Sequence, residues 1–183
     1  MLSTDLLQDL LKRTQENINM AELFKTLPLE TLNWKKSPES WSVLECLEHL
    51  NRYGDYYIPE IEKQIESSHH LSREKFKSGW LGNYFAESML PKEKLNKMKT
   101  FKTMDPKGST LDMASVHKFM DQQKAMINLL DKASGVDISK TKTGISISKW
   151  IKLRLGDTFR VVIYHNQRHL AQAERVLKEA SRS

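Results

Sequence analysis

Two histidines four residues apart, His165 and His169, stand in the run Tyr164-His165-Asn166-Gln167-Arg168-His169. Neutral imidazole is the commonest metal-binding side chain and titrates near physiological pH. Residues at i and i+4 of a helix project from one face, so both rings can reach a common point. That arrangement is half of a metal site. With six histidines in 183 residues, a chance pair at this spacing arises roughly 0.2 times per chain, so the pair needs a third ligand before it means much. The plainer reading makes one ring a satisfied core residue and the other a surface residue.

The helix that carries them is written around them. Leu155, Phe159, Val162, His169, Ala173 and Val176 recur at helical spacing and mark a buried stripe through Phe159–Leu177. His169 takes a place on that stripe where an aliphatic residue is expected, and His165 lies one turn earlier at its edge.

Three further long helices are legible. The first spans about Ser3 to Phe24, with Leu7, Leu10, Leu11, Ile18, Ala21 and Phe24 at helical period and Leu27-Pro28 to end it. Residues 28–41 read as packed irregular chain. The second helix opens on Ser42-Val43-Leu44-Glu45, a capping box in which serine and glutamate each satisfy the other's free amide. Trp41 and Cys46 occupy the positions that a hydrophobic staple joins. The stripe continues through Leu47, Leu50, Gly54, Ile58, Ile61 and Ile65, and Pro59 inside it predicts a kink or an opened turn. The third helix runs from about Leu111 to Ala133 on Met113, Val116, Met120, Ile127 and Leu130, with Gly135 as its stop.

Between the second and third helices lies a connection from about Ser67 to Thr110. Its aromatic run Trp80-Leu81-Gly82-Asn83-Tyr84-Phe85 predicts a short helix or a packed flap. A connection this long implies a crossover. Residues 136–152, with alternating Ile138, Ile145 and Ile147, read as extended or irregular. The fourth helix begins between Leu153 and Thr158 and ends near Ala180. The expectation is an all-α fold: one domain over residues 1–183, a four-helix bundle with a long crossover between the second and third helices. Bundles of this kind place ligand and metal sites between facing helices.

Composition narrows the classes. Apolar residues are 39% and charged residues 28% of the chain, values ordinary for a soluble globular protein. No segment has the apolar length to cross a bilayer. The N-terminal residues read as the first helix and not as a signal peptide. Cys46 is the single cysteine, which excludes an internal disulfide and points to a reducing, cytoplasmic setting. It reads as a buried staple residue, not a nucleophile. The net charge is +6, part of it in Lys92, Lys94, Lys97, Lys99, Lys102 and Lys107. These lysines read as a solvated basic face and not as a nucleic-acid interface, because arginine is scarce there and no binding motif accompanies them. The charge can still attract an anionic substrate.

Four histidines remain as third ligand. His69 and His70 sit in a polar loop, and His117 lies beside the stripe of its helix. His49 lies two turns into the second helix, about 110° from the centre of its aliphatic stripe, where periodicity alone makes it half-exposed. It faces the interior only if a cavity lined by Tyr53, Tyr56 or Tyr57 widens that end.

The stretch Trp41-Ser-Val-Leu-Glu-Cys-Leu-Glu-His49-Leu, followed by His165-Asn-Gln-Arg-His169-Leu-Ala-Gln172, resembles the DinB-like family, which includes metalloenzymes of the YfiT type. The likeness extends over nearly the whole chain, including the lead-in Leu153-Arg-Leu-Gly-Asp-Thr-Phe159. The resemblance implies that His49, His165 and His169 hold a divalent metal, zinc or nickel. It also implies a four-helix bundle with a crossover, and a homodimer. Three imidazoles with an open position make a catalytic layout. A metal there lowers the pKa of a bound water or thiol, and Gln172 is the candidate to orient one ring. Two chemistries follow. One is S-transferase chemistry, in which a low-molecular-weight thiol is passed to a small-molecule electrophile, an activity of some members of the resembled family. The other is hydrolysis, for which neither Glu45 nor Glu48 makes a convincing base. The competing class is a ligand- or partner-binding bundle with a vestigial metal site and no enzymatic activity.

Overall fold

The computed structural model describes residues 1–91 and 100–182. Lys92, Lys94, Lys97 and Lys99 of the basic run lie outside the described residues. Among the described residues six helices follow in order: α1 (Ser3–Lys25), α2 (Leu29–Asn33), α3 (Val43–Glu66), α4 (Trp80–Met89), α5 (Met113–Ala133) and α6 (Leu155–Ala180). A 3-10 turn spans Lys102–Met104, and two strands, β1 (Lys142–Ile145) and β2 (Ser148–Arg154), precede α6. The four helices expected from periodicity are α1, α3, α5 and α6. α1 packs against α5 and α6, and α3 packs against the same two.

Local chemistry sets the element ends. The Ser42 hydroxyl accepts from the Glu45 amide at 3.1 Å while Glu45 Oε2 accepts from the Ser42 amide at 2.9 Å, so α3 starts where the capping box places it. α5 starts at Asp112, whose carboxylate accepts from the Ala114 amide at 2.8 Å. α3 runs on through Pro59 to Glu66, so the proline does not end it.

Two apolar clusters form the interior. One joins Leu6, Leu10, Ile61, Leu130, Phe159 and Ile163. The other joins Phe24, Leu32, Leu44, Leu47, Phe119 and Leu170. A buried polar layer separates them along each long helix: Thr14 and Asn17 on α1, Asn51 on α3, Gln123 on α5 and Asn166 on α6.

Two expectations need correction. Residues 28–41 are not all irregular: α2 forms a turn of helix that buries Leu32. The chain is mostly helical but not purely so, because β1 and β2 pair antiparallel, with Thr143 opposite Leu153 and a register irregularity between Gly144 and Ile145. The ribbon is held by partners distant in sequence. The Gly144 amide donates to Glu60 Oε1 at 2.7 Å, and the Ser146 amide donates to the Tyr57 hydroxyl at 3.3 Å. The Thr143 and Thr158 hydroxyls meet at 2.5 Å. Together these contacts lay the ribbon across α3 and the start of α6.

α4 is fixed to α6 by Asp157, a buried carboxylate in the first turn of α6. It accepts from the Gly79 amide at 2.7 Å, from the Ser78 hydroxyl, and from Arg160 Nη1 at 3.3 Å. A Cβ at Gly82 would stand 2.4 Å from Asp157 Oδ2, so α4 can approach this closely only with glycine there.

Candidate metal centre

The capping box sets the start of α3 and so fixes where His49 and Tyr53 fall. Glu45 is fully engaged, its second oxygen 2.6 Å from Lys35 Nζ. Glu48 pairs with Arg52 at 3.0 Å. From the other side α6 presents His165 and His169. His49 is 3% exposed, not half-exposed as its place on the helical wheel predicts. Besides His165 and His169, three neighbours cover it. The Trp41 ring lies 4.8 Å from its ring, Tyr53 lies 5.0 Å away edge-on, and the 3-10 turn brings up the Met104 carbonyl.

His49, His165 and His169 converge so that one ring nitrogen of each lies within 4.8 Å of the others. Their ring centroids are 4.5 to 5.1 Å apart, all edge to face. The outer hydrogen bonds set the tautomers. His49 Nδ1–H donates to the Met104 carbonyl at 2.8 Å, and its Nε2 faces His165 Nε2 at 3.2 Å. His169 Nδ1–H donates to Gln172 Oε1 at 3.0 Å, which leaves its Nε2 free to bind. Gln172 thus sits where a ring-orienting partner belongs.

Burial disfavours charge on all three rings. His169 is lowered to about 3, first by desolvation and then by His49. His165 falls well below its ordinary value through desolvation, then through His169 and His49. His49 is lowered by desolvation and by Arg52, against the Met104 bond and the Asp105 carboxylate, which raise it. At neutral pH the trio offers uncharged imidazoles, the charge state that a metal requires.

The trio lies in the wall of a cavity of about 860 Å³. Its lining is mostly apolar, with Trp41 beside the histidines, Phe85 and Met89 from α4, and Ile145 and Ile147 from the ribbon. The Asp157 latch and the Glu60–Gly144 bond therefore place walls of this chamber from a distance. Tyr53 and Tyr57 line it as the sequence suggested, and Tyr56 does not; its hydroxyl lies against Gly144 instead. Burial pushes the Tyr53 phenol up to about 12.

The other singled-out residues lie elsewhere. His69, His70 and His117 are exposed. Cys46 is buried and its thiol is pushed up by desolvation, as suits a core residue. Lys107 reaches the cavity rim, while Lys102 is exposed outside the lining. Asp105 and Arg168 also line the cavity and were not singled out. Arg168 had a signal, since it stands three residues after His165 and so shares its helical face. Asp105 and the Met104 carbonyl had none, because a turn in a long connection carries no periodicity.

Among the described residues no helix is long and apolar enough to cross a membrane. A family model for the DinB superfamily matches residues 10–173. No curated protein and no solved structure matches the chain.

Proposed function

The chain belongs to the DinB superfamily, and we propose that it is a divalent-metal-dependent enzyme that transfers a low-molecular-weight thiol to a small apolar electrophile. The reading takes residues 1–183 as one domain, the four long helices as a four-helix bundle with the 67–110 connection as crossover, and His49, His165 and His169 as the ligands. One observation carries it: three uncharged imidazoles converge in the wall of a large, mostly apolar chamber. A closed structural site would have no chamber beside it, which favours a site open to a small molecule over a purely structural one. Three nitrogen donors suit zinc or nickel alike.

When bound, the ion supplies Lewis acidity that holds a thiol as thiolate, or a water as hydroxide, at neutral pH. The protein does the rest. Met104 and Gln172 hold His49 and His169 in the binding tautomer. Trp41 packs against both rings, at 4.8 and 5.6 Å, and keeps water from that flank. The aromatic and aliphatic walls receive the body of the electrophile. Glu45 and Glu48 are held in ion pairs and take no part as bases, and a preformed thiolate needs none.

A second reading, hydrolysis, is favoured by Asp105, a cavity carboxylate close enough to raise the pKa of His49. It would act as general base towards a water.

The test is metal content of the purified chain beside His169→Ala, followed by transfer assays with several low-molecular-weight thiols. About one divalent ion per chain, lost in the variant with helicity retained, supports the site. A chain that takes up neither zinc nor nickel in excess refutes it. Turnover of activated esters without thiol, abolished by Asp105→Asn, would move the assignment to hydrolysis.

A further inference from the structure

Three tyrosines stand close together on α3, and their hydroxyls have different fates. The Tyr57 hydroxyl is engaged by Ser146, accepting from its amide at 3.3 Å and meeting its Oγ at 3.4 Å. The Tyr56 hydroxyl lies against the Gly144 backbone, outside the cavity lining. Tyr53 lines the cavity, and its hydroxyl has no hydrogen-bond partner among the described residues.

The Tyr53 ring is nevertheless firmly placed. It lies edge-on to His49 at 5.0 Å and to His165 at 4.8 Å, and parallel to Tyr57 at 6.3 Å and 9°. Tyr57 is in turn tied to the ribbon, so the second tyrosine braces the first. A partly buried phenol usually finds a partner for its O–H. Here the ring is fixed by packing in the cavity lining, beside the three imidazoles, and its O–H has no protein partner among the described residues. An otherwise apolar binding site fixes the orientation of its ligand with a few such groups.

We infer that Tyr53 is a substrate-binding residue whose O–H donates to a carbonyl oxygen of the electrophile, and that the substrate class is an apolar molecule bearing a conjugated carbonyl. This rests on the thiol-transfer reading and deepens it. In the addition, the thiolate sulfur forms a bond to the β-carbon of the enone. The C=C π pair shifts to make the Cα–carbonyl carbon double bond, and the carbonyl π pair becomes the enolate oxygen charge. The proton that the thiol released to solvent returns from solvent to Cα. Tyr53 keeps its own proton throughout and stabilises the oxygen by hydrogen bonding, as the donors of an oxyanion hole do. A phenol is an O–H donor at neutral pH.

The decisive measurement needs neither metal nor turnover. Acetophenone and α-methylstyrene have nearly the same shape, but only the ketone carries an acceptor oxygen. Calorimetric titration of both into the metal-free full chain and into Tyr53→Phe isolates the hydroxyl. Tyr53→Phe is expected to weaken acetophenone about 5- to 10-fold, the scale of one neutral hydrogen bond, and to leave α-methylstyrene within about twofold. Equal loss for both probes would reduce Tyr53 to a wall of the cavity and overturn the inference. So would no change for either, or no binding of either by wild type at millimolar concentration. The two claims fail separately: a chain that binds the ketone through Tyr53 but takes up no zinc or nickel loses the enzymatic reading and keeps the carbonyl site. A chain that holds metal but shows no ketone discrimination does the reverse.

Discussion

His165 and Asn166 are neighbours on α6, and each enters a different buried polar group. Asn166 Nδ2 donates to Gln123 Oε1 on α5 at 3.1 Å, and Asn17 Nδ2 on α1 donates to the same oxygen at 3.3 Å. His165 instead meets His49 and His169, three basic rings with no acid among them. Both groups are largely shielded from solvent, and both carry a desolvation cost. The amide group recovers it internally, donor on acceptor, and ties three helices together. The imidazole group does so only in part: Met104 and Gln172 satisfy the outer nitrogens of His49 and His169, and the one inward bond, between His49 Nε2 and His165 Nε2 at 3.2 Å, leaves His169 Nε2 without a partner among the described residues. A polar cluster that closes on itself is scaffold. One that stays open inwards, with its outer bonds made, is prepared for a cation.

Acid should separate the two regions most. The folded imidazoles have lowered pKa values, His169 about 3, while in the unfolded chain they take protons near pH 6.5. Below about pH 6.5 the unfolded state therefore binds more protons. Stability present above that pH is lost as pH falls towards the folded values, on the order of a kcal/mol per pH unit for His169. His165 and His49, lowered by burial as well, add to the loss in the same direction. The amide group has nothing to titrate. Denaturant midpoints of the metal-free chain between pH 7.5 and 5 measure the slope, and His169→Gln should reduce it. A slope unaltered by that variant would place the acid sensitivity elsewhere.

Next in size is His165→Ala. Removing one ligand of three should lower zinc affinity more than the 10- to 100-fold typical of outer partners, with the far-ultraviolet circular dichroism of a helical chain retained. Gln123→Leu tests the opposite region. It strands the amides of Asn17 and Asn166, at a cost of about 2–4 kcal/mol in unfolding free energy. Zinc affinity should stay within about threefold, less than the loss of even an outer partner brings. If Gln123→Leu weakened zinc binding as much as His165→Ala did, the two groups would be one coupled network and the distinction would fail.

The difference between these regions also explains what the sequence revealed. The helices were legible because the stripes of α1, α3, α5 and α6 repeat, and the start of α3 because a capping box is local chemistry. His165 and His169 were legible because i, i+4 spacing survives without knowing the fold. The likeness to known sequences, not periodicity, picked out His49. A helical wheel counts burial by other helices, whereas His49 is covered by Trp41 and the turn carrying Met104, 55 residues away. The same reason hid α2, which is too short to show a period, and the ribbon, whose Gly144 is held by Glu60 from 84 residues away.

The smallest effect is the sharpest test of the distinction. Gln172 makes one hydrogen bond to His169, at 3.0 Å, a length close to the Asn166–Gln123 bond. As scaffold, its loss would cost about 1 kcal/mol of stability and nothing else. As an orienting partner, its loss frees the ring to carry its proton on Nε2, the nitrogen that faces the trio. Gln172→Leu should then lower zinc affinity about 10-fold and change unfolding free energy by less than about 1 kcal/mol, because Gln172 is only partly buried. The reverse pattern, stability lost and zinc affinity kept, would put Gln172 with the amides, and His169 would then owe its orientation to Trp41 packing alone.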